Sequence, residues 1–203
     1  MYLFVKRILD IVGAIILLPF VLIVIIVFAP LIWLTDRGPV FYNAIRAGKW
    51  YKPFRMYKLR TMYVNSPDLK NPDGSTFNSD NDSRVTPIGR ILRKTSLDEF
   101  PQFLNVLLGQ MSFIGPRPKI WHAEKKVEEM DNNRQKSFSV KPGVTGYAQA
   151  FFRNSISQNE KFQWDAYYAE HVSFVLDTKI IWQTVKSVLK RENINTIQTL
   201  QDK

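Results

Sequence analysis

The chain has 203 residues, 45% of them apolar, with 28 Lys and Arg against 18 Asp and Glu and a formal net charge of +10. This length and apolar content suit one core, so we expect a single domain with an anchor. The surplus of positive charge favours an anionic partner, such as nucleic acid, an acidic lipid leaflet or a phosphorylated substrate. The absence of cysteine excludes disulfides, thiolate nucleophiles and cysteine-ligated zinc. With only His122 and His171, we expect any metal to be a hard cation on oxygen ligands, Mg²⁺ in particular.

Residues 11–35 carry no charge and consist mainly of Ile, Leu, Val and Phe. As a straight helix they would be ~37 Å long, enough to cross a hydrocarbon core of ~30 Å, so hydropathy alone favours an ordinary single span. Pro19 is expected to kink this helix, because proline lacks the N–H group and clashes with the preceding turn. Basic residues flank the run on both sides, and a helix that bends at Pro19 and leaves by the face it entered would satisfy the positive-inside rule at both ends. We expect Asp10 to pair with Lys6 or Arg7 at the interface.

After the anchor, residues 39–48 and 52–62 are predicted to form two short strands around a turn at Gly48. Residues 64–84 are polar and rich in Asn, Asp, Ser and Pro, which predicts a loop.

Two helices are predicted next. Thr86 and Pro87 have the chemistry of an N-cap and a first helical residue, for a helix that runs to about residue 94. Ser96-Leu-Asp-Glu99 has capping-box spacing for a second helix, which continues to Gly109.

The adjacent carboxylates Asp98 and Glu99 thus fall at the predicted start of the second helix. A helix N-terminus carries partial positive charge, so we expect both groups to be ionised, as a metal ligand or a carboxylate nucleophile requires. Arg93 is near in sequence, and Gly115-Pro-Arg-Pro118 fixes Arg117 between two prolines. These residue types suit a divalent cation held against a phosphate. The alternative is a pair of helix-capping carboxylates with surface ion pairs, which is the commoner role of such residues.

The remaining elements are predicted from periodicity and turn residues. A mostly charged helix is expected at 120–137 and a turn-rich loop at 141–146. Residues 157–171 are predicted to be helical. Residues 180–191 form an amphipathic helix that either lies in a membrane interface or packs on the core. A polar tail follows from residue 193.

Six motifs occur in an order and at a spacing found in one family. They are Phe54-Arg-Met-Tyr-Lys-Leu-Arg-Thr-Met62, Ser96-Leu-Asp-Glu99, Asn105-Val-Leu-Leu-Gly-Gln-Met-Ser-Phe-Ile-Gly-Pro-Arg-Pro118, Lys141-Pro-Gly-Val-Thr-Gly-Tyr-Ala-Gln149, Asp165-Ala-Tyr-Tyr168 and Ser173-Phe-Val-Leu-Asp177. With them the chain resembles the monotopic phosphoglycosyl transferases, bacterial sugar transferases that start glycoconjugate assembly. The resemblance runs from about residue 2 to 191.

The resemblance implies an α+β, mostly helical fold. A re-entrant membrane helix would occupy residues 1–36, a small cytoplasmic catalytic domain with interfacial amphipathic helices residues 37–192, and a polar tail residues 193–203. The protein would lie at the cytoplasmic face of the bacterial inner membrane. Its partners would be a UDP-sugar donor and polyprenol (undecaprenyl) phosphate, its cofactor Mg²⁺, and no nucleic acid partner is expected.

The resemblance also assigns roles to residues. Asp98 matches the nucleophile that attacks the β-phosphate of the UDP-sugar, releases UMP and forms an aspartyl phosphosugar, which polyprenol phosphate then takes. Glu99 matches the partner carboxylate that helps Asp98 to hold Mg²⁺ and assists the incoming phosphate. Lys58, Arg93 and Arg117 match the basic residues that line the phosphate site. Arg153 and Asp165 match polar positions near the nucleotide-sugar.

Two departures from the family pattern bear on these expectations. Leu18 precedes Pro19 where the family usually has serine, whose hydroxyl can bond a carbonyl freed by the kink. Phe151-Phe-Arg-Asn154 stands where the family often has Asn-Gly-Arg-Asn, which leaves the donor sugar open.

Two rival functions compete with this interpretation. A membrane-anchored basic protein that binds nucleic acid or anionic lipid would explain the charge and the anchor, but not the Asp98–Glu99 pair beside Gly115-Pro-Arg-Pro118. An inactive scaffold of the same family is disfavoured by the intact carboxylate pair. Release of UMP from a UDP-sugar would exclude both rivals.

Overall fold

The computed structural model describes residues 1–69, 77, 79, 81–153 and 155–190. The polar tail predicted from residue 193 lies outside the described residues, as does part of the loop predicted at 64–84. The helices are α1 (Tyr2–Asp36), α2 (Pro87–Thr95), α3 (Gln102–Leu107), α4 (Asn132–Ser137), α5 (Tyr147–Phe151), α6 (Gln158–Glu170) and α7 (Phe174–Lys190). The strands are β1 (Ala44–Ala47), β2 (Pro53–Met56), β3 (Ser112–Ile114), β4 (Lys119–Ile120) and β5 (Gly143–Thr145). The predicted α+β, mostly helical class is confirmed.

Helix α1 dominates the N-terminal part of the molecule. It runs without interruption through Pro19 and Pro30, and among the described helices it is long and apolar enough to cross a membrane. At ~1.5 Å per residue, its 35 residues extend over ~50 Å. Many of its large apolar side chains are exposed, including Phe4, Ile16 and Ile26. Such a surface suits lipid better than water, and the re-entrant path stays a prediction.

Both ends of α1 are bonded to the globular part of the molecule. Near the start, Lys6 Nζ lies 2.7 Å from Asp177 Oδ2 on α7. At the end, Arg60 donates to both carboxylate oxygens of Asp36, at 2.5 and 2.6 Å. Between these ends, Ala14 packs in a cluster with residues of β2 and α3. One continuous body therefore contacts α1 near both of its ends.

The predicted pairing of Asp10 with Lys6 or Arg7 is wrong. Asp10 is buried, and its Oδ1 accepts hydrogen bonds from Ser112 Oγ at 3.1 Å and from the Phe113 backbone N–H at 3.0 Å. Arg7 donates instead to two carbonyl oxygens at the end of α3. Two donors on β3 satisfy the Asp10 carboxylate. Lys6 and Arg7 bond other parts of the globular body instead.

Two small sheets connect the helices. In the first, β1 pairs antiparallel with β2 and with β4, in the order β2-β1-β4. The predicted hairpin around Gly48 is confirmed, with strands shorter than predicted, because Trp50 and Tyr51 adopt left-handed conformations in the connection. In the second sheet, β3 and β5 are parallel, so the segment predicted as a loop at 141–146 contains a strand.

The charged helix predicted at 120–137 is wrong. This stretch contains the end of β4, a 3₁₀ turn at Val127–Glu129 and the short helix α4. Its apolar residues Trp121, Val127 and Met130 pack against the cluster around Tyr51 and Phe138. Three such contacts are too few for a continuous helical face over this length, and the packing of separate short segments prevails.

Three predicted helices are present. Thr86 Oγ1 caps α2 by accepting from the Gly89 N–H at 2.9 Å. Ser157 and Glu160 form a capping box at the start of α6. Helix α7 begins at Phe174, six residues before the predicted start. Its Ile181, Trp182 and Val185 side chains are exposed, while Ile180 is buried.

Candidate active site

Asp98 and Glu99 lie in a 3₁₀ turn, Leu97–Glu99, between α2 and α3. The predicted capping box is wrong, because Ser96 adopts a left-handed conformation (φ 57°) and its side chain caps nothing. Its backbone N–H ends α2 by bonding the Leu92 and Arg93 carbonyls. Helix α3 begins only at Gln102, after Pro101. The two carboxylates therefore lie in a turn and not in the first turn of a long helix. The expected stabilisation by a helix N-terminus is absent.

Two cations surround the carboxylate pair. Lys58 Nζ lies 2.6 Å from Asp98 Oδ2 and 3.5 Å from Glu99 Oε1. Arg117 Nη2 lies 3.0 Å from the same Glu99 oxygen. The Asp98 side chain is 4% exposed and that of Glu99 21%, whereas Arg117 is 52% exposed. The structure thus brings four of the predicted residues together, with Arg117 at the open side.

Lys58 is placed by contacts that join the segment after β2 to α2 and α3. The Leu59 N–H donates to the Asp98 carbonyl oxygen at 2.9 Å, which fixes the two chain segments side by side. Asn105, fully buried on α3, accepts from the Tyr57 N–H at 2.9 Å and donates to the Arg55 carbonyl at 2.8 Å. Sequence analysis missed this role of Asn105, since its partners lie 48 to 50 residues away.

Arg117 is presented by a loop that is pressed against β5. The Gly115 N–H donates to the Thr145 carbonyl, and the Gly143 N–H donates to the Pro116 carbonyl, both at 2.9 Å. A Cβ atom at Gly115 would collide with the Lys141 and Gly143 backbones. Only glycine permits this close approach, and the two prolines restrict the backbone around Arg117.

Arg93 approaches the site from α2. Its Nε donates to Thr61 Oγ1 at 3.0 Å, and it is close enough to Asp98 to favour the charged form of that carboxyl. Burial lowers the pKa of Arg93, and Asp98 acts in the opposite direction. The predicted residue therefore belongs to the electrostatic environment of the pair.

The two carboxyl groups have opposite pKa shifts. Burial raises the pKa of Asp98, and the Lys58 ammonium acts against that rise. Burial would also raise the pKa of Glu99, but the charges of Arg117 and Lys58 outweigh it and lower that pKa to about 2. The environment thus makes Asp98 the more basic carboxylate and holds Glu99 ionised.

Arg46 on β1 is a further cation that sequence analysis missed. Its buried Nε has no hydrogen-bond partner among the described residues. Burial lowers the pKa of Arg46, and nearby Arg117 lowers it further. The charge of Arg46 therefore adds to that of Arg117 near Glu99. The sequence feature that could have indicated Arg46 is the predicted pairing of its strand with the strand that precedes Lys58.

Asp165 lies on α6, behind a lysine of β4. It is 2% exposed, and its Oδ2 is 3.4 Å from Lys119 Nζ and has no hydrogen-bond partner among the described residues. Burial raises the pKa of Asp165, whereas Lys119 lowers it. The charge of Arg117 acts on Lys119, so Asp165 is linked to the carboxylate site through Lys119.

Arg153 follows α5 in a left-handed conformation (φ 50°). The neighbouring Phe152 ring stacks on Trp164 at 5.1 Å, and the Tyr147 ring stacks on Trp164 at 5.2 Å. The Phe-Phe departure from the family pattern thus forms an aromatic cluster next to Arg153. A role for Arg153 at the nucleotide-sugar stays a prediction.

The carboxylate pair fits a magnesium ion that is shared with a substrate. Among the described residues there is no group of three or more His, Cys, Asp or Glu that could hold a metal alone. Mg²⁺ bound by one or two carboxylates usually completes its shell with water and substrate phosphate oxygens. The ion pairs above use Asp98 Oδ2 and Glu99 Oε1, so a second oxygen of each carboxylate lies outside those pairs.

The long apolar helix attached to a small α+β body suggests a membrane-associated protein, and the paired carboxylates among fixed cations suit phosphate chemistry. The family model for bacterial sugar transferases matches residues 1–191. The chain therefore belongs to the bacterial sugar transferase family and is an enzyme of the sugar-phosphate transferase class.

Curated relatives agree with this family. The chain is 40% identical over 189 residues to the uncharacterized sugar transferase EpsL of Bacillus subtilis, covering 93% of this chain and 89% of that protein. It is 37% identical over 196 residues to a UDP-N-acetylgalactosamine-undecaprenyl-phosphate N-acetylgalactosaminephosphotransferase of Aeromonas hydrophila, covering 93% and 44%. It is 37% identical over 185 residues to a UDP-glucose:undecaprenyl-phosphate glucose-1-phosphate transferase of Klebsiella pneumoniae, covering 89% and 39%. The chain thus spans less than half of the last two proteins and most of the first.

Proposed function

We propose that this protein transfers a sugar 1-phosphate from a UDP-sugar to polyprenol (undecaprenyl) phosphate and releases UMP. The observation that carries the proposal is the buried Asp98 carboxylate, 2.6 Å from Lys58 and adjacent to Glu99 and Arg117. The names of the Aeromonas and Klebsiella relatives support the donor and acceptor classes. The product would be the first membrane-bound intermediate of a polysaccharide or glycoconjugate.

In the first step, an Asp98 oxygen attacks the β-phosphorus of the UDP-sugar. The bond from that phosphorus to the bridging oxygen breaks, UMP leaves with the electron pair, and an aspartyl phosphosugar forms. Lys58 pairs with the nucleophile before attack, Arg117 offers N–H groups to the phosphate oxygens, and Arg46 adds positive charge beside Arg117. Fixed cations of this kind stabilise charge that develops in the transition state.

In the second step, an oxygen of polyprenol phosphate attacks the same phosphorus. The bond to the Asp98 oxygen breaks, which gives the polyprenyl diphosphate sugar and restores the carboxylate. The lowered pKa of Glu99 makes it a weak base, so we assign it a role in binding rather than in proton transfer. Deprotonated polyprenol phosphate needs no base for this attack.

Asp98 and Glu99 are the residues that would hold Mg²⁺. When bound, the ion would neutralise part of the charge of the diphosphate. Lys58 Nζ lies within ion-pair distance of both carboxylates, so its positive charge would remain beside the substrate phosphate. The chain thus supplies the two carboxylates and the neighbouring cations that offset their negative charge.

We place the protein on the cytoplasmic face of the bacterial inner membrane, with α1 re-entrant. Support comes from the contacts of α1 at both ends with one body, through Lys6–Asp177 and Asp36–Arg60. If α1 crossed the membrane, its two ends would lie on opposite sides, and the globular body could keep only one of these two ion pairs. These two ion pairs support a placement of both ends of α1 on the same side.

The test is a screen of UDP-sugars for UMP release by the purified protein, with polyprenol phosphate and Mg²⁺ present. We expect one donor to give UMP together with a lipid-linked sugar, and chelation of Mg²⁺ to stop both. UMP formed without lipid product in the absence of acceptor, in an amount equal to the enzyme, would report the covalent intermediate. If no UDP-sugar yields UMP and the protein binds polynucleotide with steep salt dependence, the proposal is wrong.

A further inference from the structure

A second cationic site lies away from the carboxylate pair. A cavity of about 140 Å³ opens between the start of α1, the end of β3 and the segment before β5. Its polar and charged lining consists of Lys6, Arg7, Asp10, Lys49, Ser112, Ser139, Lys141 and Tyr168. None of the residues assigned to the transferase site lines it, so the cavity needs its own explanation.

The cations of this cavity exceed its anions. Asp10 is the one carboxylate of the lining, and it is bonded to Ser112 and to the Phe113 N–H. Two of the four cations are also bonded: Lys6 to Asp177, and Arg7 to the carbonyls of Val106 and Leu107.

The other two cations, Lys49 and Lys141, have no carboxylate within ion-pair distance among the described residues. Burial lowers the pKa of Lys141, the nearby charges of Arg7 and Lys49 lower it further, and Asp10 offsets only part of this. The cavity is therefore positively charged and gains from an anion.

Arg7 and Lys141 both approach Gly109. A Cβ atom built on Gly109 would lie 3.3 Å from Arg7 Nη2 and 3.6 Å from Lys141 Nζ, so these two nitrogens are at most about 7 Å apart. Two cationic groups at that separation repel each other. A phosphate group fits, because it offers several oxygens that accept charge-assisted hydrogen bonds from different directions.

The apolar part of the cavity shows where such a phosphate would come from. Leu3, on the first turn of α1, lines the cavity and is 60% exposed, and Val172 lines it from the segment before α7. Nearby exposed residues include Phe4 on α1 and Phe174 and Val175 on α7. A charged cavity with an apolar rim, at the end of a lipid-facing helix, suits an amphipathic molecule whose chains leave along the rim.

We propose that this cavity is a second phosphate-binding site, and that it takes the headgroup phosphate of an anionic membrane lipid. Lys141 and Lys49 bind the phosphate oxygens, and Arg7 adds its charge. The lipid chains lie along the start of α1. A bound lipid would thereby hold the start of α1 against the globular body and at the membrane surface.

Amine footprinting of the wild-type chain tests the proposal. The purified protein in neutral detergent is acetylated in the presence of phosphatidylglycerol, phosphatidylcholine or inorganic phosphate at equal concentration, and each lysine is followed by mass spectrometry. We expect phosphatidylglycerol to slow acetylation of Lys141 about tenfold, as one charge-assisted contact would, and to leave exposed Lys52 unchanged. Equal slowing by inorganic phosphate would support the phosphate site and overturn the lipid as its source. Equal slowing by phosphatidylcholine, or no slowing by any probe, would overturn the proposal.

A pair of double variants gives an independent measurement. Lys49→Gln with Lys141→Gln removes both uncompensated cations, whereas Lys52→Gln with Lys125→Gln removes the same charge at exposed positions. Native mass spectrometry should find phosphatidylglycerol bound about tenfold more weakly per cation removed in the first variant, and unchanged in the second. Equal retention by both variants, each with a wild-type melting temperature, would contradict the site. The wild-type footprint decides if the first variant does not fold.

Discussion

The Asp98 side chain is 4% exposed, its carboxylate lies 2.6 Å from Lys58 Nζ, and Glu99 is the next residue. Burial makes this carboxylate more basic than a carboxylate in water, and a more basic oxygen attacks phosphorus more readily. The Lys58 ammonium stabilises the ionised form of Asp98 and so opposes the effect of burial. Glu99 has the reverse balance, because two cations hold it ionised. Two adjacent residues of similar chemistry are thus suited to two different roles.

Replacing Asp98 by asparagine should abolish turnover. The amide is nearly isosteric, but it is not an effective nucleophile and it binds metal poorly, so we expect product formation to fall by ~10³-fold or more. The measurement is lipid-linked product from purified protein, with melting temperature as a check of folding. Asp131→Asn is the matched control, because Asp131 is an exposed helix cap that asparagine can replace. Wild-type turnover by Asp98→Asn would remove the nucleophile assignment.

Replacing Arg117 by lysine should cost activity although the charge is kept. Arginine offers a fork of donors, so one group can meet Glu99 and a phosphate oxygen together, whereas lysine is a single point of charge. We expect a loss of about tenfold in kcat/KM, the equivalent of one charge-assisted hydrogen bond. Arg90→Lys, at an exposed position on α2, serves as the control. Equal kinetics for both variants would return Arg117 to a purely structural role.

The chemistry-bearing residues could be proposed from sequence, because Asp98, Glu99 and Arg117 occur in short motifs with restricted neighbours. The residues that surround and position them could not be predicted from the sequence. Asn105 satisfies backbone groups about 50 positions away, and the orphaned N–H of Arg46 depends on how β1 packs. Such contacts follow from tertiary packing, which a local pattern does not contain.

At the scale of elements, short segments are joined by a few buried polar contacts. Asn105 ties α3 to the end of β2, and the loop with Arg117 is tied to β5 through Gly115. Strong local signals were sufficient for the cap of α2, where the Thr86 side chain bonds the backbone three residues away. They failed at 120–137, where charge density suggested a helix but the apolar contacts needed to pack one are few. They also failed at Ser96, whose capping-box spacing is overridden by the left-handed end of α2.

Replacing Asn105 by alanine should lower both stability and activity. The change leaves the Tyr57 N–H and the Arg55 carbonyl without their partner, and unsatisfied buried groups cost about 1–3 kcal/mol each. We expect a melting temperature several degrees lower, because a loss of this size is a large share of a domain's stability. We also expect a lower kcat per folded molecule, because Lys58 loses its fixed position. Asn132→Ala, at an exposed position on α4, should change neither quantity. An unchanged melting temperature and kcat for Asn105→Ala would show that the segment carrying Lys58 is held by other contacts.

At the scale of the whole molecule, charge and apolar surface are arranged around α1. The helix exposes large apolar side chains along much of its length, yet its two ends are tied to one body through Asp177 and Arg60. The net charge of +10 suits an anionic membrane surface and anionic substrates alike. Hydropathy by itself favours a single crossing, because it takes no account of where the ends of the helix are bound. The ion pairs at both ends favour a helix that stays on one side.

Single-cysteine labelling should show the start of α1 and the globular body on the cytoplasmic side. The chain has no native cysteine, so a cysteine inserted directly after Met1 reports the start of α1 and Glu124→Cys, at an exposed position, reports the globular body. An impermeant maleimide should label neither site in intact spheroplasts and both after lysis. Adding Pro19→Ala restores a backbone donor and relaxes the expected bend, so a fraction of molecules should then expose the inserted cysteine outside. The Lys6–Asp177 and Asp36–Arg60 pairs oppose that change and should keep the fraction below half. Labelling of the inserted cysteine in intact spheroplasts without the Pro19 change would defeat the re-entrant arrangement and establish a single crossing.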